Sequence, residues 1–225
     1  MQYMKKGLTL LKKGDFKTLA RGAFRILCRK LYLIWARIED WRIGGVSLSG
    51  WKLSRFPETG AYGTESTDYR WMNQIFKSYP LREDAVFVDV GCGEGRVLTY
   101  LYLRGFRGKM TGIELDPEIA ETARQRTKTC PNIQIRQGNV LECGDILQDA
   151  TALYLFNPFN ETVLKGFVDL IEAVCDHPLF LYYSHDRHRQ VLDKRENWYI
   201  LRRNVVKSYY HPNTTYTIYY YRPNR

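Results

Sequence analysis

The chain of 225 residues lacks any apolar run near the roughly 20 residues that a bilayer-spanning helix needs, and none of its five cysteines forms a Cys-x-x-Cys pair. The longest apolar run of that kind, Leu31 to Ala36, is hemmed in by Arg29, Lys30 and Arg37, and the first apolar patch is broken by Lys12 and Lys13. Neither a membrane span nor a secretory signal is expected. Cys28, Cys92, Cys130, Cys143 and Cys175 are odd in number and scattered. That pattern speaks against a disulfide framework and a metal site, and for a reducing, cytoplasmic setting. Internal repeats and low-complexity tracts are also missing. What remains is a globular composition, 44% hydrophobic and 26% charged, sized for one α/β domain with a few extra helices.

Acidic residues are scarce at the start. Residues 1–42 hold eleven Lys and Arg against Asp15, Glu39 and Asp40, a net +8, which leaves +2 of the total +10 for the rest. The spacing predicts a helix from Asp15 to Trp41, with Phe16, Leu19, Ala20, Ala23, Leu27, Leu31, Ile34 and Ile38 on one buried stripe and Arg21, Arg25 and Arg29 on another face. Such a basic amphipathic helix suits an anionic partner, either a membrane surface or a nucleic acid. The plainer alternative is a cap packed on the main domain. Gly44, Gly45, Ser47, Ser49 and Gly50 then break the pattern, so residues 1–54 read as a helical extension with its linker and residues 55–225 as the main domain.

Within that domain strand and helix alternate. A loop running from Arg55 through Ser66 leads to a short helix packed through Trp71, Ile75 and Phe76. Strands are expected over Val86–Val90, Met110–Leu115, Ile133–Arg136, Ala152–Phe156 and Leu179–Tyr183, the first of them an apolar run of the kind buried in a parallel sheet. Helices are expected from Glu94 to Arg104, after the Asp116-Pro117-Glu118 start signal, and after Asn160. Two β-rich runs, Trp198–Tyr209 and Thr215–Arg222, are separated only by His211-Pro-Asn-Thr. A gap that short forces an antiparallel hairpin.

The strongest local signal is Asp89-Val-Gly91-Cys92-Gly93-Glu-Gly95-Arg-Val, set between an apolar strand and a helix. Glycines there allow a sharp turn and a close approach of a ligand to the main chain. A dinucleotide fingerprint would place its third glycine at position 96, which is Arg96, and no Gly-Lys-Ser/Thr follows to make a phosphate loop. A second landmark, Asn157-Pro158-Phe159-Asn160, ends the fourth strand, at the edge where open parallel sheets bind ligands. His185, in Ser184-His-Asp-Arg-His188 after the fifth strand, has a ring suited to proton removal near neutral pH.

The Asp89–Gly95 segment resembles motif I of the Rossmann-like S-adenosylmethionine-dependent methyltransferases, and the resemblance runs over residues 60–222. It implies a doubly wound, mostly parallel seven-stranded α/β sheet with a C-terminal antiparallel hairpin, preceded here by the helical extension. It implies S-adenosylmethionine as cofactor, held by Asp89, Gly91, Cys92, Gly93 and Gly95, with Glu114 and Leu115 at the ribose. The family's acid near the adenine is replaced by Asn139, beside Val140. Tyr62, Thr64 and Ser66 belong to a segment similar to one that closes over the methionine end in related proteins, lysine methyltransferases without a SET domain among them. The Asn157-Pro158-Phe159 loop is similar to the D/N-P-P-aromatic motif of nitrogen methyltransferases, with the second proline missing and the aromatic one place early. A nitrogen acceptor is therefore expected, oriented by Asn157 and the Pro158 carbonyl. A hydroxyl acceptor with His185 as base is the alternative, and a non-catalytic membrane- or nucleic-acid-binding module is the alternative outside catalysis. Aminopropyl transfer is disfavoured, because the fourth-strand loop lacks paired acids.

Overall fold

The computed structural model describes residues 16–44, 48, 50–206 and 214–223. Helix α1 (Phe16–Gly44) precedes a two-stranded antiparallel ribbon of β1 (Trp51–Lys52) and β2 (Thr64–Glu65), then α2 (Tyr69–Ser78). The main sheet begins at β3 (Phe87–Val90). It continues with α3 (Arg96–Leu103), β4 (Met110–Glu114), α4 (Pro117–Thr127), β5 (Ile133–Gln137), α5 (Gly144–Leu147), β6 (Ala152–Phe156), α6 (Glu161–Val174) and β7 (Leu179–Ser184). Helix α7 (Gln190–Asp193) and the strands β8 (Trp198–Val205) and β9 (Thr215–Tyr221) complete it. The seven strands lie in the order β5-β4-β3-β6-β7-β9-β8. The first five are parallel, and β9 runs antiparallel to both β7 and β8.

Each central strand is apolar on both sides, and period-two alternation sorts its side chains between two cores. Val88, Val90, Leu153, Leu155, Leu181 and Tyr183 face one core, closed by Leu164, Phe167, Val168 and Ile171 of α6. Phe87, Ala152, Tyr154 and Tyr182 face the other, closed by Trp71, Met72 and Ile75 of α2 and by Val97, Leu98 and Leu101 of α3. Helix starts follow their caps. The Asp68 carboxylate accepts from the Arg70 and Trp71 amides, Asp116 from Glu118 and Ile119, and Asn160 from Val163. Helix α3 starts at Arg96 rather than Glu94 because Gly95, at φ +82°, is still in the left-handed region. The hairpin between β8 and β9 is present, while residues 207–213, with the His211-Pro-Asn part of its connection, lie outside the described residues.

The N-terminal helix departs from expectation. The apolar stripe does not pack on the domain: Phe16, Leu27, Leu31, Ile34 and Ile38 are 53–66% exposed. Leu19 lies outside the described side chains. The packed face is instead Tyr32, Ala36 and Asp40, four apart, set against α4 and the Asp68–Tyr69 turn. A buried ion pair and hydroxyl hydrogen bonds orient α1, so its polar face does the docking and the apolar face is left outside.

Candidate active site

The carboxyl ends of β3, β4, β5 and β6 meet the 59–67 segment around one cleft, open to solvent at its mouth. The cleft is lined by Asp89, Gly91, Cys92, Gly93, Glu114, Leu115, Asn139, Val140, Tyr62 and Thr64, together with Ser66, Arg96, Tyr154, Phe156, Pro158 and Phe159. Gly95, Asn157, His185 and His188 are outside that lining. Residues far apart in sequence thus converge where strand ends and a covering loop meet.

The glycine turn is set by backbone need. Gly91 and Gly93 have φ of +71° and +55°, and a Cβ at Gly91 would lie 2.6 Å from Pro158 Cβ. The turn is held by a carboxylate: Glu114 Oε2 accepts from the Gly93 amide at 2.8 Å, and Oε1 accepts from the Asp116 amide at 3.0 Å. Burial raises the Glu114 pKa, and these amide bonds pull against that rise. Asp89 is also buried, and one of its carboxylate oxygens has no hydrogen-bond partner. Its pKa is pushed well above the ordinary carboxylate range by burial and then by the Glu114 charge. Cys92 is buried and its thiol pKa is raised, chiefly by desolvation, so it is poorly suited to act as a nucleophile.

The covering segment is fastened at several points. Ala61 pairs with Phe159 in an isolated antiparallel bridge. The Tyr62 amide donates to the Pro158 carbonyl at 2.9 Å, and the Asn160 amide donates to the Gly60 carbonyl at 2.9 Å. Arg55 pairs with Asp116 and Glu118, and Lys52 with Glu94. Arg96 crosses from α3 to donate to the Ser66 and Thr67 carbonyls at 3.2 Å, while its other nitrogens pair with Asp40 of α1. This arginine was legible only as a failed glycine position, because its partner lies 56 residues away.

At the ends of β6 and β7 stand two non-glycine residues in left-handed backbone, Asn157 at φ 43° and His185 at φ 53°. Such conformations cost of order 1–3 kcal/mol and persist where surrounding structure enforces them. Asn157 Oδ1 accepts from the Tyr183 hydroxyl at 3.2 Å. His185 Nε2 accepts from Arg187 Nε at 2.9 Å, and its ring sits against Trp71 and Phe156. His188, three residues on, faces Tyr62 instead, with its Nε2 3.0 Å from the Tyr62 hydroxyl and its Nδ1 4.0 Å from Glu161.

Residues 87–175 match a family described as a methyltransferase domain. That stretch, from β3 to the end of α6, is where the chain is similar to methyltransferases. No curated protein matches the chain in sequence. Among solved structures, yhhF of Escherichia coli, assigned as a methyltransferase, superposes with a TM-score of 0.58 at 19% identity, over 72% of this chain and 90% of that one. Precorrin-6y C5,15-methyltransferase of Geobacter metallireducens gives 0.54 at 14% identity, over 70% and 90%. A methyltransferase of Aquifex aeolicus that depends on S-adenosylmethionine gives 0.52 at 15%, over 66% and 88%. At such identities these likenesses speak for the fold.

The cleft's own chemistry fits S-adenosylmethionine. Glu114 retains lone pairs that ribose hydroxyls can reach, the bare backbone at Gly91 and Gly93 leaves room for close approach, and the orphaned oxygen of Asp89 can accept from the ligand's ammonium. That last contact has a consequence in protons. A carboxyl with a raised folded-state pKa adds stability below the unfolded carboxylate range and loses it as pH rises through the raised value. An ammonium placed against it favours the ionised form, so cofactor binding should release up to about one proton as the pKa falls. Calorimetry in buffers of contrasting ionisation enthalpy reads this directly, and Asp89→Asn should remove the release. Proton uptake in the parent would sink the Asp89 assignment.

Proposed function

We propose that the protein is an S-adenosylmethionine-dependent methyltransferase that delivers its methyl group to a nitrogen of the acceptor, held at the Asn157-Pro158-Phe159 loop. S-adenosylmethionine supplies an electrophilic methyl, and the protein's contribution is positioning against a free lone pair. The observation that carries the reading is the loop's construction. Pro158 and Phe159 line the cofactor cleft, and the buried Asn157 is held in a strained backbone with its side chain fixed by Tyr183. The Asn157 Oδ1 and the Pro158 carbonyl each accept one internal hydrogen bond, from the Tyr183 hydroxyl and the Tyr62 amide. Each keeps a second lone pair for an amine. Asn157→Ala should lower turnover by at least about a hundredfold, the loss of roughly 3 kcal/mol of orientation. Cofactor affinity should stay within a few-fold. Equal loss of both, measured by product formation and calorimetry, would make the loop part of the cofactor site.

A hydroxyl acceptor is the second reading, and one observation favours a base for it. The His185 ring nitrogen Nε2 is engaged by Arg187, whereas His188 touches the Tyr62 hydroxyl at the cleft and approaches Glu161. Under that reading His188 takes the base role first given to His185. The two acceptors separate by chemistry, because a methylated amine keeps its charge at neutral pH and a methyl ether has none.

The division into residues 1–54 and 55–225 is part of the same reading, with residues 1–42 as a docking element for an anionic partner. Support for docking is the net +8 of that segment and the exposure of its apolar stripe.

A further inference from the structure

From Phe16 to Leu27 every described side chain of α1 is exposed, and its later turns meet the domain. There Tyr32 donates to Asp68 at 2.7 Å, the Trp35 ring meets Tyr69 edge-on, and Asp40 is buried. The apolar side chains at 16, 24, 27, 31, 34 and 38 lie on the opposite side and are all more than half exposed. Over 29 residues the helix is about 43 Å long, so this is a long apolar face, exposed among the described residues.

Charge selects the occupant. Between Phe16 and Ile38 there are six basic residues and no acid. At 100° per residue, Lys30 and Arg37 fall along one edge of the stripe and Lys17 along the other. The first acids, Glu39 and Asp40, are taken up by Arg42 and Arg96. A second copy laid on this face would bring two such net-basic helices together, which is repulsive. A nucleic acid would meet the charges and leave the apolar stripe in water. A surface that is anionic above and apolar below satisfies both. Among the described residues no helix is long and apolar enough to cross a membrane, which leaves an in-plane position.

We propose that α1 lies in the plane of an anionic lipid surface, with its Phe16–Ile38 stripe among the acyl chains and its basic residues at the headgroups. The inference rests on the reading of residues 1–42 as a docking element and is independent of the acceptor atom. The buried Asp40–Arg96 pair makes the attachment rigid, so the helix carries the cofactor cleft with it to the membrane.

The test uses the full chain, mixed phosphatidylcholine–phosphatidylglycerol vesicles and pure phosphatidylcholine vesicles. The parent should co-sediment with the anionic vesicles, and less so as salt rises. The triple variant Leu27→Gln, Leu31→Gln, Ile34→Gln should lose at least about a hundredfold in vesicle affinity, since three apolar side chains no longer enter the bilayer. Because those side chains are exposed, its affinity for S-adenosylmethionine and its melting should match the parent's. Equal vesicle binding by parent and variant overturns the proposal, as does a parent that stays in the supernatant. A dimer that the triple variant dissolves would assign the stripe to a second copy. RNA binding without vesicle binding would keep the docking reading and overturn the lipid assignment.

Discussion

Asp40→Ala is expected to cost about 3–5 kcal/mol of folding stability, the loss typical when one member of a buried ion pair is removed. Asp40 is fully buried and accepts from Arg96 Nε at 2.9 Å and Nη2 at 2.7 Å, from the Tyr69 hydroxyl at 2.8 Å and from the Leu48 amide at 3.0 Å. Arg126 of α4 adds a second cation 3.8 Å away. Alanine would leave the Arg96 guanidinium buried with only the Ser66 and Thr67 carbonyls as acceptors. For a domain whose total stability is about 5–15 kcal/mol, that loss is a large fraction, and the melting midpoint should fall by roughly 10 °C. Arg96 also orders the wall of the cofactor cleft, so affinity for S-adenosylmethionine should drop in the same variant at a temperature where it remains folded. Asp40→Leu combined with Arg96→Met should recover part of the stability, because the Arg96 charge is then no longer stranded while Arg126 still loses Asp40. It should not recover affinity, because the link to Ser66 and Thr67 is gone. A melting midpoint unchanged in Asp40→Ala would show that α1 is not anchored by this pair.

The sheet was legible because its signals are local and strong. Val88 and Val90 sit in an apolar run interrupted only by Asp89, as suits a strand buried on both faces, and Asp116-Pro117 and Asn160 mark helix starts by bonds to amides two or three residues on. The short gap before Thr215 likewise admitted only a hairpin. The cleft was legible for a related reason: Asp89, the glycines and Glu114 lie within one strand-turn-helix-strand stretch. The orientation of α1 was not. Periodicity shows that Phe16, Leu27 and Ile34 share a face, but not which face the domain takes, and here long-range polar bonds from Asp40 and Tyr32 decided it. The histidines failed similarly. His185 and His188 belong to one five-residue segment, and the left-handed backbone at His185 determines which of them reaches Tyr62. No residue type in that segment signals such a turn as a glycine would.

Glu114→Ala is expected to weaken S-adenosylmethionine binding by about 1.5–3 kcal/mol, roughly ten- to a hundredfold, as hydrogen bonds to a charged acceptor are lost. The carboxylate has two tasks at once. It can accept from the ribose hydroxyls, and it pins the turn by accepting from the Gly93 and Asp116 amides at 2.8 and 3.0 Å. Glu114→Gln separates them, since an amide keeps one acceptor oxygen and loses the charge. Its deficit should fall between those of the parent and the alanine variant. The pH dependence has a defined sign. Burial raises the Glu114 pKa, so the ionised form that ribose hydroxyls need is lost as pH falls through a value above the ordinary carboxylate range. Parent affinity, followed by calorimetry, should therefore decline on acidification before exposed carboxylates titrate, and that part of the decline should be missing in Glu114→Gln. The Asp89 contribution would persist in both. Cofactor affinity that is equal in the parent and Glu114→Ala at neutral pH would remove Glu114 from the ribose site and leave it only its structural hold on the glycine turn.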